Sequence, residues 1–305
     1  MRITKLTLGR LGVLLQSEGL AFRTGPFTFR LCSSAANLSI LLHRLYADYL
    51  FAEEAKFFDF HITLSRHNRW WRFQQSRWLF QTDIDVPYVP FPEDTILPFL
   101  EWGLNWCVAT HAHQYLMLHA GVVEKNNQAL ILPAWPGSGK STLSAALCQR
   151  GWRLLSDEFG LVRPKDGLLA PFPRLVALKN ESIAVFRDFA PDAVMGPEYP
   201  KTRKGTVCHL RPPTDSIERD QETAKPRWIV FPKFRKGASM SLRSVEKTEA
   251  FVTLSGHSFN YDLIGLRGFQ TLTNLIDVCD CYTFEYGGDL EQAVAQLNAL
   301  ADGLS

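Results

Sequence analysis

Five side chains near the middle of this 305-residue sequence have the types and spacing for phosphoryl chemistry: His119, Lys140, Ser141, Asp157 and Glu158. Lys140 and Ser141 close the string AWPGSGKS at 134–141, a phosphate-loop pattern with Ala134 where the first glycine ordinarily sits. In such a loop, backbone amides at Gly137, Ser138 and Gly139 wrap a triphosphate. The lysine reaches the outer phosphates and the serine hydroxyl holds Mg²⁺. The expected ATP-contacting set is therefore Ala134, Trp135, Pro136, Gly137, Ser138, Gly139, Lys140, Ser141 and Thr142. Two adjacent acids beside a Mg-triphosphate can hold the metal or take a proton from an attacking hydroxyl.

The elements that must position these groups follow from the pattern around them. Leu130, Ile131 and Leu132 form a short apolar run, as in a strand buried on both faces. Leu143, Ala146 and Leu147 have helical spacing after the loop, and Gly151 is a natural stop. The helix would point its positive end at the phosphates. A right-handed crossover then predicts that the strand 152–156 runs parallel to the first. Asp157 and Glu158 would lie at the sheet edge that carries the loop, where ligands of such folds bind. A solvated turn is the alternative for this acidic pair. Upstream, 115–123 reads as a strand turning at 125–127. Hairpin register puts His119 opposite 132–134, at the mouth of the loop; a structural role is its alternative.

Composition narrows the class. Hydrophobic residues make up 46% and charged residues 21% of the chain, ordinary for a globular protein. The formal net charge of +2 gives no global electrostatic case for nucleic acid. The six cysteines show no CxxC pair and no zinc-like spacing, so reduced cysteines in a cytoplasmic protein are expected. The apolar run at 11–15 is too short for a signal or a membrane anchor, and no membrane partner is expected.

Residues 1–92 read as a small α+β lobe: a hairpin over 20–31 around Gly25 and Pro26, a helix through Leu38 to Tyr49, and a three-stranded meander over 59–82. In the meander Arg66, Arg69, Arg72 and Arg77 interleave with Trp70, Trp71, Phe73 and Trp78. An amphipathic sheet with arginine stems over tryptophans accounts for this, with a partner-binding platform as the alternative. The proline-rich stretch 85–98 reads as a linker into a helix over 93–113. Beyond Glu158, strands are expected at 161–162, 175–178 and 228–234. Helices are expected at 179–190, capped by Asn180, and at 271–278 and 290–300. The segment 191–226, with Lys201, Arg203 and Lys204, reads as a long mobile loop. Its Arg203 and Lys204 would close on the transferring phosphoryl or on an acidic stretch of the acceptor.

LHAGVV at 118–123, AWPGSGKS at 134–141 and RGWRLLSDE at 150–158 together resemble the catalytic domain of the HPr kinase/phosphorylase family, nearest its HPr-related kinase A branch. ALKNESI at 177–183 and KGTVCHLRPP at 204–213 are similar to that branch. The resemblance implies an α/β fold, a P-loop kinase core of the HPr kinase/PEP carboxykinase type over 93–305. It implies ATP and Mg²⁺, with His119 as the active-site histidine, Lys140 on the phosphates, and Ser141 and Asp157 on the metal. Glu158 then matches the proton acceptor, normally an aspartate. The family's Glu-Ile-Arg-Gly-Leu-Gly signature is absent. Lys179 stands near its arginine and Glu181 is the nearest carboxylate, which argues against phosphorylase activity and against HPr as substrate. The implied activity is an ATP-dependent kinase acting on a hydroxyl, serine above all, of a small protein, peptide or free amino acid, with Lys179, Arg203 and Lys204 toward the acceptor. A non-catalytic ATP-binding protein that docks a partner is the alternative. The oligomeric state, homo-oligomers included, and the hold on adenine stay open.

Overall fold

The computed structural model describes residues 1–53, 55–67, 77–135 and 137–303. The chain opens with helix α1 (Leu8–Gln16), whose Thr7 side chain accepts from the Arg10 amide at 3.2 Å. This cap satisfies one of the free amides of the first turn. Strands β1 (Leu20–Thr24) and β2 (Phe27–Ser33) form the expected hairpin, Thr24 facing Phe27 across Gly25 and Pro26. Helix α2 (Leu38–Leu45) follows, then β3 (Leu50–Phe51), β4 (Phe60–His67), β5 (Arg77–Thr82) and β6 (Phe91–Pro92). These strands make one sheet in the order β3-β1-β2-β4-β5-β6. Of the meander expected over 59–82, the outer segments are β4 and β5, which pair directly, Ile62 to Thr82 through His67 to Arg77; its middle segment falls on residues that are not described. Arg69, Trp70, Trp71, Arg72 and Phe73 lie outside the described residues. The Arg66 guanidinium lies 5.8 Å from the ring of fully buried Trp78, so here an arginine does cover a tryptophan.

Helix α3 (Ile96–His111) begins inside the proline-rich stretch that reads as a linker. Pro98 sits in its first turn, where a missing N–H costs nothing. Gly103 lets this helix pass the sheet: a Cβ there would lie 2.0 Å from the Phe80 ring. Leu97, Leu100 and Leu104 of α3 share one apolar core with Phe22 and Phe29 before it and with Met117, Phe159 and Phe172 after it. Apolar packing therefore runs unbroken past Pro92.

A second sheet starts with the hairpin β7 (Leu116–Lys125) and β8 (Gln128–Pro133). Its two turn residues, Asn126 and Asn127, both have positive φ (55° and 61°), as a type I′ turn requires. Helix α4 (Lys140–Cys148) leads to β9 (Arg153–Ser156), then β10 (Phe159–Val162) and β11 (Leu169–Ala170). Strand β9 is antiparallel to β7, as β8 is, so β9 and β8 run in the same direction with β7 between them.

The segment expected as a mobile loop is instead ordered structure. After β12 (Val176–Lys179) and α5 (Glu181–Phe189), strands β13 (Met195–Thr202) and β14 (Gly205–Leu210) form a hairpin that completes a three-stranded sheet, β12-β14-β13. Helix α6 (Thr214–Glu218) follows. Pro197 and Pro200 fall in β13, an edge strand with two register shifts, where a missing donor is tolerated. Met195, Tyr199, Val207 and Leu210 are nevertheless buried. Asn180 does not cap α5: it has φ 52°, and its Oδ1 accepts from the Thr206 amide at 3.0 Å.

The second sheet is completed by β15 (Lys225–Phe234), β16 (Ser241–Ser244) and, after helices α7 (Lys247–Gly256) and α8 (Leu266–Val278), β17 (Asp280–Tyr286); α9 (Leu290–Ala301) ends the described chain. Its order is β11-β10-β7-β8-β15-β17-β16, with β9 also on β7; β8, β15 and β17 are parallel and the rest antiparallel. One apolar core unites α4 and α9 with the sheet, and another unites it with α7 and α8. The fold is α/β with mixed sheets. Among the described residues, no helix is long and apolar enough to cross a membrane.

Candidate active site

Strand β8 ends at Pro133, and the chain turns through AWPGSG into α4. Gly137 and Gly139 adopt φ of 91° and 86°, a region that favours glycine. Gly139 is also needed for space: a Cβ there would lie 2.0 Å from Tyr286 Oη, which donates to the Gly139 carbonyl at 3.3 Å. Ser138 Oγ donates to the Trp135 carbonyl at 2.6 Å, and the Phe234 amide donates to the Ser138 carbonyl at 3.1 Å. Strands β15 and β17 thus brace the turn. Ala134 is buried; Trp135 is 65% exposed and packs its ring 4.5 Å from that of His257. Pro136 lies outside the described residues. Thr142 follows Ser141 in the first turn of α4.

Three of the five chemistry-bearing side chains meet at the mouth of this loop. Ala120 pairs with Pro133, which sets His119 level with Ala134. His119 Nε2 lies 3.3 Å from Glu158 Oε1, and Lys140 Nζ lies 3.5 Å from Glu158 Oε2. Lys140 also donates to the Asp157 carbonyl. Gly121 makes this possible, because a Cβ there would lie 2.4 Å from Ser144 Oγ and push α4 off β7. The acidic pair sits in the break between β9 and β10, where Ser156 Oγ accepts from the amides of Glu158 (3.3 Å) and Phe159 (3.0 Å).

The two acids face different surroundings. The Glu158 side chain is 34% exposed. Burial alone would raise its carboxyl, but Lys140, His119 and Lys204 outweigh this and hold it well below the usual carboxylate range. Asp157 is buried, and burial pushes its carboxyl up; Lys140 opposes this, Glu158 adds to it, and the Ser141 hydroxyl opposes it again. Asp157 Oδ1 has no hydrogen-bond partner among the described residues. An orphaned buried carboxylate oxygen beside a serine hydroxyl suits a divalent cation. Mg²⁺ takes one or two protein oxygens and completes its shell with water and phosphate. No group of three His, Cys, Asp or Glu side chains converges as ligands among the described residues. Ser141 and Asp157 therefore fit a nucleotide-borne Mg²⁺ rather than a caged one.

Beyond Glu158 lies a cavity of about 30 Å³. Lys179 and Lys204 line it, while Arg203 does not. Lys204 comes from the tip of the β13–β14 hairpin, where Thr202 pairs with Gly205, and its ammonium lies 5.5 Å from the Trp102 ring. Lys201, with φ 63°, lies in the strand before that tip. Glu101, Arg174 and His209 also line the cavity, and nothing in the local sequence marks them. Each comes from a different element and is only one member of an otherwise unremarkable helix, loop or strand. Arg174 pairs with Glu101, to which Tyr46 Oη also donates. His209 is pushed down to about 4, chiefly by burial, and so is neutral near pH 7. Burial, then His119 and Lys140, push His257 down as well. No protein-family model and no curated protein matches the chain.

Proposed function

We propose that the chain is an ATP-dependent kinase with a P-loop core of the HPr kinase type. It transfers the γ-phosphoryl of Mg-ATP to a hydroxyl, serine above all, of a small protein, peptide or amino acid. The observation that carries this reading is the meeting of Lys140 and His119 on the two oxygens of Glu158, at the mouth of a glycine-shaped loop.

The chemistry follows from that arrangement. The acceptor oxygen forms a bond to the γ-phosphorus, the bond from that phosphorus to ADP breaks, and the acceptor proton passes to Glu158. Lys140 is held by Glu158 when no triphosphate competes for it. A triphosphate in the loop would draw the ammonium away, which removes a stabilising cation from Glu158 and makes that carboxylate a better base. His119 keeps one carboxylate oxygen oriented throughout. Mg²⁺ held by Ser141 and Asp157 would neutralise charge on the phosphates. All six cysteines are unpaired, which fits a cytoplasmic setting.

Lys140→Ala should leave the fold intact, weaken Mg-ATP binding at least about tenfold and abolish transfer, since a hydrogen bond to a charged group is lost. Calorimetry with Mg-ATP checks this. Wild-type affinity in the variant would remove the basis for the loop assignment.

A further inference from the structure

A second histidine reaches the phosphate loop from far along the chain. Strand β8 lies along β7 from Lys125 back to Ala120 and ends at Pro133, where the chain turns into the loop. The connection after α7 then takes over the edge of β7 that β8 has left. The His119 amide donates to the His257 carbonyl at 2.6 Å, Leu118 bridges to Ser258, and the Phe259 amide donates to the Met117 carbonyl at 2.8 Å. Asn260 fixes this register with its side chain. Its Oδ1 accepts from the Met117 amide and its Nδ2 donates to the Tyr115 carbonyl, both at 2.9 Å. His257 is thereby held beside His119 and against Trp135 of the loop, the two rings 4.5 Å apart.

The His257 side chain has no structural partner that accounts for it. The residue is 4% exposed, and its Nδ1 is buried with no hydrogen-bond partner among the described residues. Such atoms are rare, because each forfeits its hydration. The charged or titratable groups that act on the ring are His119 of β7 and Lys140 of α4, with no carboxylate beside them. Glu158, the nearest acid to those two, spends one oxygen on each of them. Burial and the two neighbours push the imidazole down, so it is neutral near pH 7 and keeps one N–H to donate. A donor beside an ammonium and a second histidine suits an atom that only accepts and carries negative charge. A phosphate oxygen is such an atom, and a phosphate loop brings it here. Lys140 reaches the outer phosphates, and His119 is bound to the acid that would face the attacking hydroxyl. The phosphate in question is therefore the outermost.

Resting on the kinase reading, we propose that His257 is a further nucleotide-binding residue, whose Nδ1–H donates to an oxygen of the γ-phosphate of ATP. Trp135, 65% exposed and packed on the imidazole, moves aside to admit that oxygen. His257 so distinguishes a triphosphate from a diphosphate in the same loop.

The test is calorimetry on the full chain with Mg-ATP and with Mg-ADP, and it needs no acceptor. His257→Phe keeps an aromatic ring against Trp135 and removes both nitrogens, whereas His257→Asn returns an amide donor near the place of Nδ1. His257→Phe should weaken Mg-ATP roughly tenfold or more, the loss expected for a hydrogen bond to a charged group, and leave Mg-ADP as in the wild type. His257→Asn should recover much of the Mg-ATP affinity. Circular dichroism checks the fold of each variant; if His257→Phe does not fold, His257→Ala takes its place in the comparison with His257→Asn. Equal losses for the two nucleotides, an asparagine variant no better than the one without a donor, or unchanged Mg-ATP affinity throughout would each leave His257 a packing residue and overturn the inference. The kinase reading would survive all three. A wild-type chain that binds neither nucleotide would overturn the loop assignment and this inference together.

Discussion

At the scale of single residues, the proposed division of work between the adjacent acids rests on what surrounds them. Asp157 is buried against Ser141 with one oxygen unclaimed, whereas Glu158 is partly open and already carries two cationic or polar partners. Glu158→Gln should therefore cut turnover by about 10²- to 10⁴-fold, the usual contribution of a general base, with near-normal ATP affinity. Asp157→Asn should instead raise the Mg²⁺ concentration needed for half-maximal rate. Steady-state kinetics over a Mg²⁺ series separates them, and the reverse pattern would exchange the roles. A second expectation concerns pH. In the proposed reaction Glu158 acts deprotonated, and its carboxyl is held low in the free protein, so the acidic limb of kcat/KM should fall below the usual carboxylate range. Removing one stabilising neighbour by His119→Asn should move that limb upward. A limb that does not move would take His119 out of the site's electrostatics.

At the scale of elements, the β13–β14 hairpin matters most, because it delivers Lys204. Strand β14 pairs on both sides, with β12 through Val176 to Leu210 and Lys179 to Val207, and with β13 through Met195 and Glu198. A strand hydrogen-bonded on both edges opens rarely. Hydrogen exchange should find the amides at 207–210 protected without nucleotide, whereas the tip at 203–204 exchanges fast. Fast exchange throughout would mean that the segment is the loose loop its composition suggests. The hairpin then acts as a fixed arm whose end side chain alone moves.

At the scale of the whole molecule, the N-terminal sheet grips the segment that carries Arg174. Thr24 Oγ1 and Tyr49 Oη both donate to the Pro173 carbonyl at 2.9 Å, and Tyr46 joins the Glu101–Arg174 pair. Gly25 packs so closely that a Cβ there would lie 2.0 Å from the Pro171 carbonyl. The Asp220 carboxylate, 2% exposed, accepts from the Gly25 amide at 2.9 Å and from Arg23 at 3.2 Å. Asp220→Ala should cost about 2–3 kcal/mol, because it leaves a buried amide and a half-buried guanidinium unpaired. With one core running past Pro92, the loss should appear as a lower midpoint of a single cooperative transition. Two transitions in calorimetry, only one of them shifted, would show that the N-terminal part unfolds by itself.

What the sequence determined alone is what short-range chemistry controls. Glycines at 137 and 139 dictate the turn before α4, and Asn126 with Asn127 fixes the tight hairpin that carries His119 to the level of the loop. The direction of β9, and hence the place of Asp157 and Glu158, follows from chain handedness. Tertiary structure decided the rest. That β7 lies between β8 and β9 is a choice among pairings that a crossover leaves equal. Prolines 197 and 200 suggest a loop until β14 offers them an edge where no donor is needed. The proline-rich stretch into α3 likewise looks like a linker until Phe80 and the first sheet bury that helix. Glu101, Arg174 and His209 have no pattern among their sequence neighbours. They become a site only because a helix, a loop and a strand distant in the chain pack around one small space, and contacts of that range leave no periodicity to read.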